Sequence, residues 1–361
     1  MASIDKRPNG RWRARWREYP NGPQKVRSFE RKGDAQRFLD GVKGDLLRGE
    51  YIDPANARML FKDYAEEWRR AQVHRASTAE QCEIYLRKHC YPVLGHRPIG
   101  QIRRSEVQGW VKGMSANLSP GSVEVAYRWA ATVFRSAVAD RLIAASPCIR
   151  IALPKKERGE IVPLEVDHVL AMAETILPRY RATVLVAAGA GLRQGEVLGL
   201  SVDRVDFLRK TIRVDRQLLT RGKGGPQFGP PKTEAAYRTV PVSATVTDEL
   251  AAHVATFGTG PDDLLFTSST GRPIRRGTYN EAWHRARDLT DVPDWATFHD
   301  LRHFYASMLI RHGCSVKAVQ KRLGHRSATE TLDTYSHLWP DSDEETRDAV
   351  ETLLGSAVRA S

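Results

Sequence analysis

Cysteine is scarce in this 361-residue chain, and its spacing suits neither a disulfide framework nor a metal site. The four cysteines, Cys82, Cys90, Cys148 and Cys314, form no Cys-x-x-Cys pair. This argues against a disulfide-rich fold and a structural zinc ribbon, and it is typical of a reducing cytosol. The longest apolar stretch, residues 182–192, contains two glycines and is shorter than the roughly 20 residues that span a bilayer. With no secretory signal pattern at its start, the chain is expected to be cytoplasmic and to have no membrane partner.

Positive charge is abundant. Lys and Arg number 56 against 43 Asp and Glu, which gives a formal net charge of +13. Such a surplus points to a polyanionic partner, most simply nucleic acid, although many soluble proteins are basic without binding DNA. The length predicts two or three domains, and the 41% of hydrophobic residues suffices for packed cores.

The first sixty residues are especially basic, with 14 Lys and Arg against 8 Asp and Glu. Residues 11–17 alternate strictly, so a strand there places Trp12, Ala14 and Trp16 on one face. The other face carries Arg11, Arg13, Arg15 and Arg17. A turn at Asn21-Gly22, a second strand over 25–29 and a helix capped by Asp34 predict a β-β-β-α module in residues 1–55. This module could be a structural hairpin with a solvated face, but the grouping of the arginines favours DNA contact.

The remaining patterns predict an α+β multidomain chain. Residues 60–150 are predicted to be helical, because no segment there alternates between apolar and polar residues with a period of two. Residues 151–162 are charged and rich in turn-forming residues, as in a linker. Residues 163–361 are mixed but mainly helical, with a small antiparallel sheet from strands over 205–207, 211–218 and 238–242. The sequence thus predicts a β-β-β-α module, an all-α domain and a mixed, mainly α domain.

The end of the chain predicts a further helix. Ser342 to Glu345 has the pattern of a capping box, and Ala349, Val350, Leu353 and Leu354 follow as an apolar stripe. This tail helix either folds back on its own domain or docks on a neighbouring protomer.

Residues 299–303, His-Asp-Leu-Arg-His, place His299, Arg302 and His303 on one face of the first turn of a helix capped by Thr297. The segment differs from the zinc-protease motif His-Glu-x-x-His in having Asp300, whose side chain is one methylene shorter than that of glutamate. A metal site is disfavoured because Arg302 between the two ligands would repel a dication, and a third ligand is not evident.

Four other polar residues stand at conspicuous points of the pattern. Arg193 follows an apolar helix and lies in a glycine-rich turn. The glycine spacing of this turn differs by one residue from the dinucleotide-binding motif, and the βαβ unit that this motif requires is not predicted here. Lys232 follows two prolines and is expected at the tip of a hairpin. His325 comes directly after Gly324, which ends a short helix capped by Ser315. Tyr335 lies ten residues beyond His325.

Read together, these motifs resemble the tyrosine recombinase (phage-type integrase) family, and the resemblance covers essentially the whole chain. It implies catalytic roles for Arg193, Lys232, His299, Arg302, His325 and Tyr335, and it leaves His303 for packing or support. The arginines would hold a phosphodiester, and Tyr335 would attack it to form a 3′-phosphotyrosyl bond. Lys232 would protonate the departing 5′ oxygen, while His299 and His325 position or relay protons. The cationic field is also expected to favour the phenolate of Tyr335, whose ordinary pKa is near 10.

The resemblance further implies which partners the protein has. Residues 60–150 would bind core-type DNA sites and residues 1–55 arm-type sites, with no metal or other cofactor. Four protomers would assemble on DNA, and an excision factor and a DNA-bending host protein are further candidate partners. Two rival functions remain at this stage: a type IB topoisomerase-like enzyme that relaxes DNA, and a non-catalytic DNA-binding repressor derived from a recombinase. The N-terminal module and tail argue against the first, and the complete set of six catalytic positions argues against the second.

Overall fold

The computed structural model describes residues 2–48, 51–53, 56–156, 159–219, 225–339 and 343–355. In these ranges the chain is a helix-rich mixture with small antiparallel sheets, and it divides into two units, Met1–Glu157 and Arg158–Ser361. None of the helices in these ranges has the length and apolar character needed to cross a bilayer.

The first unit begins with a three-stranded antiparallel sheet that packs on a helix. The strands are β1 (Ser3–Lys6), β2 (Trp12–Arg17) and β3 (Gln24–Phe29), in that order, and the helix is α1 (Lys32–Arg48). Ala14 and Trp16 of β2 are buried with Leu39 and Val42 of α1. The predicted alternation of β2 is therefore present. Asp34 lies in the first turn of α1 instead of capping it, because the helix begins two residues earlier.

Helices form the regular structure of the rest of the first unit, as the missing alternation predicts. They are α2 (Phe61–Ala71), α3 (Ala76–Tyr85), α4 (Tyr91–Leu94), α5 (Arg104–Ser115) and α6 (Pro120–Ala139). A π-helical turn, Leu86–Cys90, joins α3 to α4. Helix α6 starts where the side chain of Ser119 accepts a hydrogen bond from the backbone of Ser122 and Pro120 occupies the first turn. Phe61, Trp110 and Phe134 are among the buried residues of the core.

The second unit opens with helices α7 (Val166–Thr175), α8 (Pro178–Ala190) and α9 (Gln194–Leu198). From Ala182 onward helix α8 carries no charged residue, and Val184, Val186 and Ala187 are fully buried. Such a helix belongs in the centre of a core. Its C-terminus holds the turn that carries Arg193.

Two small sheets follow, where the sequence predicted one. The strands are β4 (Val205–Asp206), β5 (Thr211–Val214), β6 (Gln217–Leu219), β7 (Gln227–Gly229) and β8 (Arg238–Pro241). One sheet has the order β4-β5-β8, and the other pairs β6 with β7. The strand predicted over 211–218 is broken at Asp215, whose carboxylate forms ion pairs with Arg204 and Arg213.

The remaining helices are α10 (Ala244–Phe257), α11 (Arg276–Arg287), α12 (Asp300–Arg311), α13 (Val316–Leu323), α14 (Ala328–Tyr335) and α15 (Asp343–Val350). Ser315 caps helix α13, as predicted, because its side chain accepts a hydrogen bond from the backbone of Ala318. Thr297 is not the cap of α12, which begins at Asp300 with His299 in the capping position. The Thr297 hydroxyl donates instead to the carboxylate of Asp300.

The tail helix α15 continues into a π-helical turn, Glu351–Gly355. Ser342 of the predicted capping box lies outside the described residues, as do the side chains of Ala349 and Leu353. Val350 and Leu354 are exposed, 51% and 62% respectively. Two members of the predicted apolar stripe therefore face solvent in the single chain.

Candidate active site

Arg193 lies where helix α8 turns sharply into α9. Gly191 ends α8 in the left-handed conformation, with φ of 62°. A β-carbon at this position would approach the ring of Tyr305 to 2.4 Å, so both the backbone angle and the space require glycine. Arg193 then precedes the first residue of α9, and its guanidinium donates to Glu196 at 3.0 Å.

Arg302 is 2% exposed and joins two turns that are distant in the sequence. Its Nη1 donates to the carbonyl oxygen of Gly191 at 2.7 Å, and its Nη2 donates to that of Leu323 at 2.5 Å. Burial, together with the charges of Arg193 and Arg238, lowers the pKa of Arg302 to about 9. The side chain therefore remains a cation at neutral pH. It sets the turn before Arg193 beside the turn before His325.

A buried ion pair between Arg238 and Glu196 also connects the site, and the sequence pattern did not reveal it. Each side chain is 3% exposed, and Nη2 of Arg238 lies 2.8 Å from Oε2 of Glu196. Arg238 further donates to the carbonyl oxygens of Ala236 and Arg322. Despite its burial, Glu196 has a pKa below its usual range because Arg238 and Arg193 stabilise the carboxylate. This arginine holds three segments together: the start of α9, strand β8 and the end of α13.

His325 and Tyr335 lie face to face in the interior of the second unit. Their rings are parallel within 8°, with centroids 6.4 Å apart. Nδ1 of His325 is bonded to the hydroxyl of Thr331 at 2.9 Å, one helical turn before Tyr335. Burial and the charges of Arg302 and Arg193 lower the pKa of His325 to about 3, so its ring is neutral. Helix α14 thus presents Thr331 and Tyr335 to the same side.

The hydroxyl of Tyr335 is bonded to His303, which the sequence assigned only to packing or support. His303 Nδ1 lies 2.8 Å from the phenol oxygen. The ring of His299 stands edge-on to that of His303, with centroids 4.9 Å apart. Burial lowers the pKa of both histidines. Of the two roles that the resemblance left open for His303, packing and support, the hydrogen bond to the phenol corresponds to support. The i, i+4 spacing from His299 was the available signal.

Together these side chains form what we call the tyrosine cluster, Arg193, His299, Arg302, His303, His325 and Tyr335. Tyr335 is 1% exposed. Burial raises its pKa to about 12, while Arg302 and Arg193 act in the opposite direction. The arginines thus favour the phenolate, as expected, but burial outweighs their charge, so the net effect is a raised pKa of Tyr335. The phenol is neutral at physiological pH and needs an acceptor for its proton in order to react.

Lys232 lies in the segment that connects β7 to β8, and it is exposed. It is not at a hairpin tip, because β7 and β8, the strands before and after it, belong to different sheets. The segment is nevertheless held close to His325. Gly324 adopts φ of 65°, and a β-carbon there would lie 2.9 Å from the carbonyl oxygen of Ala235. Ala235, three residues after Lys232, therefore packs closely against Gly324, the residue that precedes His325.

The arginines of β2 lie opposite the buried side of the N-terminal sheet. Arg13 and Arg15 pair with Asp5 of the neighbouring strand, at 2.8 and 2.9 Å. Arg17 donates to the carbonyl oxygen of Gly22, and Arg11 lies 3.7 Å from Glu30. Asp5 thus neutralises part of this basic face.

In the part of the chain that the structure describes, no three His, Cys, Asp or Glu side chains are grouped so that they could hold a metal ion. Asp300, the residue that would correspond to the base of a zinc protease, accepts hydrogen bonds from Thr297.

Comparison with known proteins agrees with this arrangement. The model of the phage integrase family matches residues 161–341, and that of the phage integrase central domain matches residues 61–153. The chain is 25% identical over 340 residues to the integrase of Mycobacterium phage FRAT1, covering 89% of this chain and 99% of that protein. The fold resembles the integrase of transposon Tn1549 in complex with transposon right end DNA, with a TM-score of 0.70, 23% identity, and coverage of 82% of this chain and 100% of that one. The fold also resembles a lambda integrase tetramer bound to a Holliday junction, with a TM-score of 0.59 and 18% identity. That match covers 94% of this chain and 95% of the lambda chain.

The fold and the tyrosine cluster define a tyrosine recombinase, an enzyme that breaks and rejoins DNA strands. The chain belongs to the phage integrase family, and its function is site-specific DNA recombination. Neither a DNA-relaxing topoisomerase nor a non-catalytic repressor is favoured by these matches.

Proposed function

We propose that Tyr335 is the nucleophile of this recombinase and that the enzyme integrates and excises a phage or another mobile element. The observation that carries the proposal is the position of Tyr335, buried against His303 and His325 and within the electrostatic influence of Arg193 and Arg302. A role in packing alone would not require a buried phenol under the electrostatic influence of two arginines. The phage and transposon integrases that the chain resembles support the mobile-element assignment.

In the proposed reaction the phenol oxygen of Tyr335 bonds to phosphorus as the bond from phosphorus to the 5′ oxygen breaks. Arg193 and Arg302 neutralise the non-bridging oxygens, on which charge builds in the transition state. Lys232 supplies a proton to the 5′ oxygen, which its ammonium can do and a permanently charged guanidinium cannot. His299 and His325 position the reacting groups. The ester retains the bond energy, so a 5′ hydroxyl of another strand can reverse the step.

A nicked core-site substrate tests this assignment directly, because the released 5′ fragment diffuses away and traps the covalent complex. We expect a protein–DNA adduct on a denaturing gel, in equal yield with and without excess EDTA and without added nucleotide. An adduct that disappears with EDTA and returns with a divalent metal would restore the metal interpretation of His299 and His303.

For the domains we propose the boundaries that the sequence predicts. Residues 1–55 would bind arm-type DNA sites, and residues 60–150 would bind the core site. Residues 151–162 link these to a catalytic domain over 163–361. The match of the family's central domain to residues 61–153 supports the second of these assignments. The separate hydrophobic core formed by α1 and the first sheet supports the first.

Alanine at Arg11, Arg13 and Arg15 is expected to weaken arm-site binding and leave core-site cleavage unchanged. Each phosphate contact that is lost should reduce the slope of log affinity against log salt by about one. Fluorescence anisotropy on short arm-type and core-type duplexes measures both. Arg37→Ala is the matched control, because this exposed arginine of α1 pairs with Asp34 away from the strand. An unchanged salt slope for the triple variant would contradict the assignment.

We also propose that four protomers act together on DNA and that the tail helix docks on a neighbouring protomer. The lambda integrase tetramer bound to a Holliday junction is the structural precedent for the assembly. Exposed Val350 and Leu354 would be covered in such an assembly. An excision factor and a DNA-bending host protein would be additional partners of the complex.

A further inference from the structure

The proton of Tyr335 has to leave when the phenol attacks, and the structure shows where it can go. Nδ1 of His303 lies 2.8 Å from the phenol oxygen. The two histidines that the sequence motifs emphasise are placed differently. His325 stacks parallel to the phenol ring and uses Nδ1 on Thr331, while His299 contacts the ring of His303. Within the described residues, His303 is the hydrogen-bond partner of the phenol.

We propose that His303 is the general base that accepts the proton of Tyr335, an inference that rests on the proposed role of Tyr335 as nucleophile. As the bond from the phenol oxygen to phosphorus forms, the phenol proton moves to Nδ1 of His303. The bond from phosphorus to the 5′ oxygen breaks, and that oxygen takes up the proton supplied by Lys232. This requires His303 to carry its resting proton on Nε2. The reverse reaction returns the proton from Nδ1 to the phenol as the 5′ hydroxyl attacks.

The surroundings of His303 suit a base that is neutral at physiological pH. Burial of its ring and the charge of Arg302 lower its pKa below the ordinary value near 6.5, and Asp300 acts in the other direction. The remaining titratable neighbours are His299, whose pKa is also lowered, and Tyr335, whose pKa is raised. Neither changes its charge between pH 6.5 and 9. In this window His303 is neutral and can accept, and below it protonation removes the acceptor.

The test is the pH dependence of single-turnover cleavage by the full chain and its His303→Gln variant, on the nicked core-site substrate at saturating protein. Glutamine can accept a hydrogen bond from the phenol but cannot remove its proton. For the parent protein we expect a rate that is nearly constant between pH 6.5 and 9. For the variant we expect a loss on the order of 10²–10⁴-fold at pH 7. Its rate should then rise about tenfold per pH unit, because the phenol must ionise into solvent.

A variant rate that is reduced by the same factor at every pH would overturn the proposal and leave His303 as a positioning residue. So would a variant with the parent rate. If the parent protein forms no adduct at all, the proposed function fails instead, so the two failures are distinguishable. His312→Gln is the control, because this exposed histidine follows the same helix and its Nδ1 is bonded to the carbonyl oxygen of Met308.

A second measurement does not depend on the activity of the variant. Nitrogen-15 chemical shifts of histidine in the full-length protein report which ring nitrogen carries the proton. We expect Nδ1 of His303 to be unprotonated at pH 7 and to gain a proton only below pH 6.5, with the signal assigned by its loss in His303→Gln or His303→Asn. A proton on Nδ1 at neutral pH would overturn the proposal.

Discussion

Replacing Tyr335 with phenylalanine is expected to abolish covalent adduct formation while core-site binding stays intact. The substitution removes one oxygen atom and keeps the buried ring that stacks on His325. Removing the nucleophile of a covalent enzyme lowers the rate on the order of 10⁴-fold or more. Denaturing gels with the nicked substrate measure adduct yield, and native gels with the intact core site measure binding.

Tyr279→Phe is the matched control for this experiment. Tyr279 is equally buried, and its hydroxyl is 2.6 Å from that of Thr183, neither of which belongs to the tyrosine cluster. Thr183 keeps a hydrogen bond to the carbonyl oxygen of Tyr180, so the substitution leaves it satisfied. We expect this variant to form adduct at the parent rate. An adduct that persists in Tyr335→Phe would eliminate Tyr335 as the nucleophile.

Arg302→Lys is expected to reduce the cleavage rate on the order of 10²–10³-fold, although it conserves the positive charge. The planar guanidinium donates to the carbonyl oxygens of Gly191 and Leu323 at once. A guanidinium has five N–H donors, so others remain for a phosphate oxygen. A lysine ammonium is a single point donor and cannot reproduce this fork. One buried carbonyl would lose its donor, at a cost in unfolding free energy of about 1–3 kcal/mol.

Rate and stability can be separated by measuring single-turnover cleavage and thermal unfolding on the same preparation. Arg311→Lys is the control, because this exposed arginine ends the same helix and lies 3.9 Å from the carboxylate of Glu165. Cleavage by Arg302→Lys at the parent rate would show that Arg302 is a structural tie without a role in stabilising the phosphate.

Much of the architecture was predictable because it depends on local patterns. The alternation in β2 predicts which side packs on α1, and Ala14 and Trp16 are buried accordingly. Ser315 and Gly324 predict the start and end of α13 because capping is decided within a few residues. The prediction of one strand over 211–218 was wrong, because the strand is interrupted at Asp215. The ion pairs of Asp215 there include one with Arg204, which lies outside the segment and leaves no mark on its alternation.

The tyrosine cluster, too, could be predicted only in part from the sequence. The motif residues could be identified from spacing and resemblance, but their contacts could not. That His303, rather than His299 or His325, bonds the phenol depends on how α12 packs against α14. The Arg238–Glu196 pair joins residues 42 positions apart. The raised pKa of Tyr335 depends on burial, which in this site exceeds the influence of the arginines.

Peptide mapping of the trapped adduct tests the central claim most directly. After nuclease and protease digestion, mass spectrometry should identify a nucleotide joined through its 3′ phosphate to the peptide that contains Tyr335, and to no other tyrosine peptide. A nucleotide linked to a different residue, or linked through a 5′ phosphate, would contradict the account.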